Sequence, residues 1–373
     1  MSGPLAGLKV LEFASIGPGP YAGMLMADLG ADILRVERAG SVRQGPADDL
    51  LLRSRPSIVV DLKSDVGREL VLELTEKSDA VMEGFRPGVM ERLGLGPNEL
   101  LTRNPRLVYG RMTGYGQSGP LSARAGHDIN YIAVSGALWP LGRASERPSA
   151  PMNLVGDFGG GAMFLVVGML AAMISSKSTG EGQVVDAAMV DGSASLLTMM
   201  HSLLNMEFWH EERGVNILDS GAHFYEVYET SDQKYVAVGA VEAKFYDELL
   251  RGLGLESTDL PAQMDRTQWP AMKERFAAIF AAKTRDEWTA IFADRDACVT
   301  PVLSPREAAR HPYNTERDVF ALEPVIQPNP APRFSKTPGS IGDEASTDSA
   351  KTLRRWGFSD ERLESLRDSR AFA

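Results

Sequence analysis

Side chains able to move a proton near neutral pH are sparse in this chain, which has only five histidines. One of them, His127, stands beside Asp128 in "AGHDINYIAVSG" (125–136), after a glycine and ahead of an apolar stretch. An imidazole with its ordinary pKa suits proton transfer at physiological pH; a half-buried, hydrogen-bonded histidine at a helix entry fits the same setting. Asp157 lies in "NLVGDFGGGAMFLVVGMLAAM", just ahead of a glycine triplet and a long apolar helix pattern. It can serve as an N-cap. The glycines at 159–161 also let a ligand approach first-turn amides, whose N–H groups and dipole favour a developing negative oxygen. Glu242 follows "YVAVGAV" and opens the next helix, a place that suits an acid for dipole reasons alone. Spacing leaves both readings open for each residue. No H-x-x-x-H, C-x-x-C or H-E-x-x-H pattern occurs, so no metal site is expected, and without G-x-S-x-G the common hydrolase elbow is missing.

A phosphate-binding motif needs closer weighing. "GPGPYA" (17–22) satisfies G-x-G-x-x-A after an apolar run, and Glu37 lies 20 residues beyond Gly17, as in a dinucleotide fingerprint. The pyrophosphate in that turn is held by backbone N–H groups, and Pro18 and Pro20 have none. A tight β–α turn with Pro20 in the first helical turn is the better reading. Arg38, Arg53, Arg55, Lys63, Arg86 and Arg92 fall at strand ends and loops. Cations at the carboxyl ends of parallel strands suit a phosphorylated ligand, and equally a solvated positive face.

The elements that must position these groups alternate. "LKVLEF" (8–13), "ILRVE" (33–37), "SIVVDL" (57–62), "AVMEGF" (80–85) and "RLVYGRM" (106–112) read as strands, with helical patterns after the first and third. That rhythm implies βαβ crossovers and a largely parallel sheet. Residues 158–210 read as mostly helical. Near 222 an α+β region begins, with a strand and then a helix in "KYVAVGAVEAKFYDELLRGLG" (234–254) and helical sequence after it. "ALEPVIQPNPAPRFSKTPG" (321–339) carries five prolines and must be extended, and Ser359 caps a last helix.

With 373 residues, two or more domains are expected. The net charge of −11 argues against nucleic-acid or anionic-membrane partners. Cys298 is the one cysteine, which excludes an intrachain disulfide and fits a cytoplasmic setting. "MSGPLAGLKVLEF" does not read as a secretory signal, nor "SRAFA" as an anchor. The apolar run Ala162 to Ile174 is 13 residues, too short to span a bilayer, so no membrane insertion is expected.

Taken in order, "LEFASIGPGPYAGMLMADLGADILRVER", "RPSIVVDLKSDVGREL", "EGFRPGVMERLGLGP", "RMTGYGQSGP", "GHDINY", "NLVGDFGGG", "GQVVDAAMVDGS" and "DACVTPVL" resemble the family III CoA-transferase (CaiB/BaiF-like) superfamily, and within it the racemase branch. The resemblance implies an α/β fold: a large domain with a Rossmann-like parallel sheet and a smaller α+β domain, joined by two long linkers in an interlocked homodimer. On that pattern the large CoA-binding domain covers 1–187, a helical linker 188–220, the small domain 221–320, and the return linker with the last helix 321–373.

The implied activity is that of an isomerase. It would invert the α-carbon of 2-methylacyl-CoA thioesters through an enolate, with CoA part of the substrate and no cofactor. His127, paired with Glu242, would be one proton-transfer group and Asp157 the other. Arg38, the backbone of Val60, Asp61, Leu62 and Lys63, and that of Gly84, Phe85 and Arg86 would line the nucleotide site, with Ile16 nearby. Arg92 and the segment from Gly126 through Asp128, Asn130 and Tyr131 would hold the diphosphate and pantetheine. Met189, Met199 and Met200 fall where the superfamily has an apolar acyl surface, although helix-core packing accounts for each as well. Two alternatives stand beside this: a CoA-transferase with Asp157 as nucleophile, and a silent acyl-CoA-binding protein. His127, where transferases usually carry tyrosine, and the lack of a "GGGGQ" loop in 234–243 favour the isomerase.

Overall fold

The structure is a computed structural model that describes residues 3–38, 49–255, 260–342, 348–369 and 371–372. The extreme ends of the stretches read for a leader or an anchor, Met1, Ser2, Arg370 and Ala373, lie outside the described residues.

The chain begins with β1 (Lys9–Phe13), α1 (Pro18–Asp28), β2 (Asp32–Arg38), β3 (Ser57–Val60), α2 (Asp65–Glu76), β4 (Ala80–Glu83), α3 (Val89–Arg92), α4 (Pro97–Arg103) and β5 (Val108–Thr113). These strands sit where the apolar runs predict them, because strands covered on both faces need unbroken apolar sequence. α1 starts on the two prolines of "GPGP", which fall in its first turn. Ser64 caps α2 by accepting the Gly67 N–H at 3.0 Å. Next come α5 (Asp128–Val134), a π-helical stretch Leu154–Ala162 that runs into α6 (Met163–Thr179), β6 (Gln183–Ala188) and α7 (Met189–Leu196). The six-stranded sheet has the order β3-β2-β1-β4-β5-β6, with every pairing parallel. β6 lies inside the region read as mostly helical and is the correction to that reading.

Two compact units result. The first joins 1–135, 152–197 and 318–373; the second joins 136–151 and 198–317. Relative to the sequence reading, 136–151 goes to the second unit, and α7 stays with the first rather than forming a linker. In the first unit one face of the sheet packs α2, α4 and the C-terminal helices Ser349–Arg355 and Asp360–Asp368 around Leu11, Leu34, Tyr109 and Trp356. The other packs α1 and α6 around Val10, Met26, Ile33, Leu165 and Met169. Ser359 caps the last helix as expected, accepting the Arg362 N–H at 3.2 Å.

The helix from Leu154 to Thr179 is 26 residues long with a mean hydropathy of 1.9 over its most apolar window, so length and composition alone would let it cross a membrane. The 13-residue estimate from the sequence was short because the glycine-rich stretch ahead of it is also helical. Leu165, Val166, Met169 and Met173 on one side are buried in the first unit's core, whereas Met163, Val167 and Ile174 form an exposed apolar stripe on another.

In the second unit the first helix is α8 (Thr198–Asn205). The unit builds an antiparallel sheet in the order β7 (Tyr225–Glu229), β8 (Tyr235–Gly239), β9 (Val299–Pro301). α9 (Ala243–Gly252), α10 (Trp269–Phe280) and α11 (Arg285–Phe292) pack on it around Phe224, Phe276, Phe280 and Trp288. His223 is buried in this aromatic core with Nε2 2.7 Å from the Tyr246 hydroxyl. Burial pushes its pKa from 6.5 down to about 4. The folded state therefore holds it neutral, giving stability that is complete above the unfolded value of 6.5 and is lost as pH falls towards 4. Urea midpoints of the full chain are expected to drop across that window, and His223→Gln should flatten the dependence.

Candidate active site

The order of the first sheet reverses between β1 and β4, and open α/β sheets bind ligands in the crevice at such a point. A pocket of about 500 Å³ lies there, at the carboxyl ends of β1, β4 and β5, within the size range of small-molecule sites. Ile16 and Gly17 follow β1, Gly84 to Pro87 follow β4, and Met112 to Tyr115 end and follow β5. Ser122 and Arg124 to His127 come from the loop before α5, and the wall closes with Tyr131, Asp157 and Met189.

His127 is the residue before α5. Its own N–H is accepted by the Asn130 side-chain oxygen at 3.1 Å, so the backbone is fixed while the exposed imidazole faces the pocket. Tyr131, one turn on, donates its hydroxyl to the Gly126 carbonyl and stacks edge-on against Tyr115, with ring centroids 5.0 Å apart. These contacts tie the loop carrying His127 back onto its helix. Burial, with the nearby Asp157 carboxylate next, pushes the Tyr131 phenol up to about 12, so it acts as a neutral donor. On the β4 side, Glu83 accepts the Phe85 N–H at 2.6 Å and Arg111 Nε at 3.1 Å, which holds the turn that bears Arg86.

Asp157 is not an N-cap. The helix starts at Leu154, and Asp157 sits within its π-helical part with a half-buried carboxyl group. Its N–H goes to Asp128 Oδ2 at 2.7 Å, and the Phe158 N–H goes to the Asn153 carbonyl at 3.3 Å. The first-turn amides expected to cradle a negative oxygen are thus committed at 157 and 158. Burial raises the Asp157 pKa; the Asn153 amide, 3.4 Å from Oδ2, opposes this, the Asp128 charge reinforces it, and His127 opposes it. A carboxyl group held above its ordinary range thus shares a pocket with an imidazole, which brings two groups able to exchange protons into one site.

Of the other residues singled out in the sequence, Ile16, Gly84, Phe85, Arg86, Gly126, Tyr131 and Met189 line this pocket. Arg38, Asp61, Lys63, Arg92 and Asn130 are exposed outside its lining, and Val60 and Leu62 are in the core. Asp128 is buried, 5% exposed. Met199, Met200 and Glu242 belong to the second unit, where Glu242 precedes α9 without capping it through its side chain. Arg53 and Arg55 are corrections to the cationic cluster. Arg53 bonds Asp28 and Gln327, and Arg55 is buried in an ion pair with Glu12. Both spend their charge inside the protein. The sequence reading missed Ser122, Tyr115 and Arg124 in the pocket; Arg124 stands three residues before His127, close enough to have been found.

The sequence profile of CoA-transferase family III matches residues 5–345. The chain is 44% identical to the alpha-methylacyl-CoA racemase of Mus musculus, over 98% of this chain and 97% of that one. It is 43% identical to the alpha-methylacyl-CoA racemase of Homo sapiens, over 97% of this chain and 96% of that one. The crystal structure of a CaiB/BaiF family protein from Brucella suis shares the fold with a TM-score of 0.82, at 24% identity, covering 95% of this chain and all 100% of the other.

Proposed function

The chain belongs to CoA-transferase family III, and we propose on that premise that it racemises 2-methylacyl-CoA thioesters by 1,1-proton transfer between His127 and Asp157. The observation that carries the mechanism is that these two side chains line one pocket at the switch point of the sheet. Inversion requires the α-proton to leave from one face of the carbon and another to arrive on the opposite face, which one base cannot readily serve. The thioester assists by delocalising the carbanion onto its carbonyl oxygen as an enolate, so the reaction needs no cofactor. One group starts as base and the other as acid, and the roles exchange for the other epimer.

Arg86 and Arg124 supply positive charge in the same pocket and suit the phosphate-bearing part of the substrate, with Tyr131 and Gly126 lining the path of the chain. Met189 offers an apolar wall for the acyl group. The enzyme is assigned as a homodimer; the exposed stripe of Met163, Val167 and Ile174 suits cover by a second copy.

The test is to incubate one epimer of a 2-methylacyl-CoA in D₂O with no acceptor acid. Epimerisation with α-deuterium uptake is the expected result. Reaction only after a free acid is added would indicate a transferase acting through Asp157, and inertness under both conditions a binding protein.

A further inference from the structure

In an α-helix the Asp157 N–H would bond the carbonyl four residues back, that of Asn153. Here Asp128 Oδ2 takes that N–H at 2.7 Å, and the Asn153 carbonyl accepts from Phe158, five residues back, at 3.3 Å. Diverting one N–H inserts one residue into the turn, and the stretch stays π-helical to Ala162 before α6 begins. Such stretches concentrate at functional sites. An α-helical register would turn the Asp157 side chain by roughly 100° relative to the helix that follows.

The placement of Asp128 is costly enough to need a reason. It is 5% exposed, and its other oxygen, Oδ1, is buried without a hydrogen-bond partner. Approach on this scale also needs Gly156, where a Cβ would sit 2.7 Å from Asp128 Oδ2 and 2.9 Å from Cγ. We propose that Asp128 is the positioning residue of this site: by taking the Asp157 N–H, its carboxylate sets the π-helical register that aims the Asp157 carboxyl group into the pocket. Adjacent in sequence to His127, it ties the two proton-transfer groups to a common anchor. Its charge also bears on Asp157 directly, alongside Asn153 from the same helix and His127 and Tyr131 from the α5 side; Arg86 and Arg124 line the same pocket, and α1 and α7 present Pro18 and Met189 there.

The catalytic part of this inference rests on the two-base reading; the register part does not. Crystal structures of Asp128→Ala and Asp128→Asn read the register, and steady-state kinetics across pH read the consequence. Asp128→Ala should return the Asp157 N–H to the Asn153 carbonyl and lower kcat on the order of 10²-fold, the cost of an ångström-scale misplacement, with KM changed less than about twofold. Asp128→Asn keeps an acceptor oxygen, so it should retain the π register and recover most of kcat. Having lost the like charge, its acid limb in kcat/KM should move down relative to the wild type. Should Asp128→Ala not fold, Gly156→Ala, which pushes the carboxylate away, takes its place. An unchanged register in the Ala variant, a loss confined to KM, or an Asn variant as impaired as the Ala variant with an unshifted profile would overturn the proposal. If the wild-type protein itself fails to epimerise, the two-base reading falls, and the register comparison still decides the role of Asp128.

Discussion

His127→Ala and Asp157→Asn are each expected to lower epimerisation by on the order of 10²–10⁴-fold, the usual range for a positioned acid–base group, while leaving affinity for free CoA nearly intact. The two losses should not multiply in the double variant, because either deletion already removes one face of the reaction. A second constraint sharpens the test. The two epimers differ little in free energy, so kcat/KM in the two directions must fall together, even though each direction starts from a different protonation state of the pair. Burial raises the Asp157 pKa before any charge acts on it. That direction favours Asp157 carrying the proton it must donate when it serves as the acid. Measured kcat/KM from each epimer, together with the dissociation constant of CoA, checks all of this. Substantial activity in either single variant would remove that residue from the mechanism.

Gly192→Ala should damage the protein through packing rather than chemistry. α7 crosses the π-helical stretch so closely that a Cβ at Gly192 would lie 1.8 Å from the Gly160 carbonyl oxygen, and one at Gly160 would lie 2.6 Å from the Ser193 nitrogen. Both obstacles are backbone, so no side-chain rotation relieves them. Overpacking of a rigid contact costs about 1–3 kcal/mol and occasionally more, and here the strain falls on the helix that carries Asp157. Thermal unfolding should show a Tm lower by several degrees, on the order of 2–4 °C per kcal/mol for a domain of this size, with kcat reduced at temperatures where the variant is still folded. Gly180→Ala is the contrasting substitution: open space surrounds its Cβ, but its φ of +80° makes the cost local backbone strain, so kcat should be spared.

The parts of this fold legible in the sequence share a physical cause. β1, β2, β4 and β5 are buried on both faces and therefore announce themselves as apolar runs, and the prolines of "GPGP" mark the start of α1. β6 escaped because most of its length is not buried. Gln183, Val184 and Asp186 are exposed, so "QVVDAA" carries a weak apolar signal between two helices. The assignment of 136–151 to the second unit had no local signal, being fixed by distant contacts such as Arg143 with Glu226 at 2.6 Å. Arg53 and Arg55 read as either ligand-facing or solvated cations because their partners, Asp28 and Glu12, lie 25 and 43 residues away. In the site, type and setting left His127 and Asp157 open to two readings each, and only the resemblance gave them roles. The clamp joining them went unread, because a side chain holding a backbone N–H 29 residues on leaves no pattern in residue types.

The central claim, that hydrogen leaves one face of the substrate to one group and arrives on the other face from a second, is tested most directly by early-time isotope partition. A single epimer is converted in D₂O to a few per cent, and the α-position of each epimer is analysed separately. Two groups on opposite faces predict deuterium in the newly formed epimer and little or none in the recovered starting one. Deuterium appearing equally in both from the outset, or inversion that retains the original α-proton, would contradict the account.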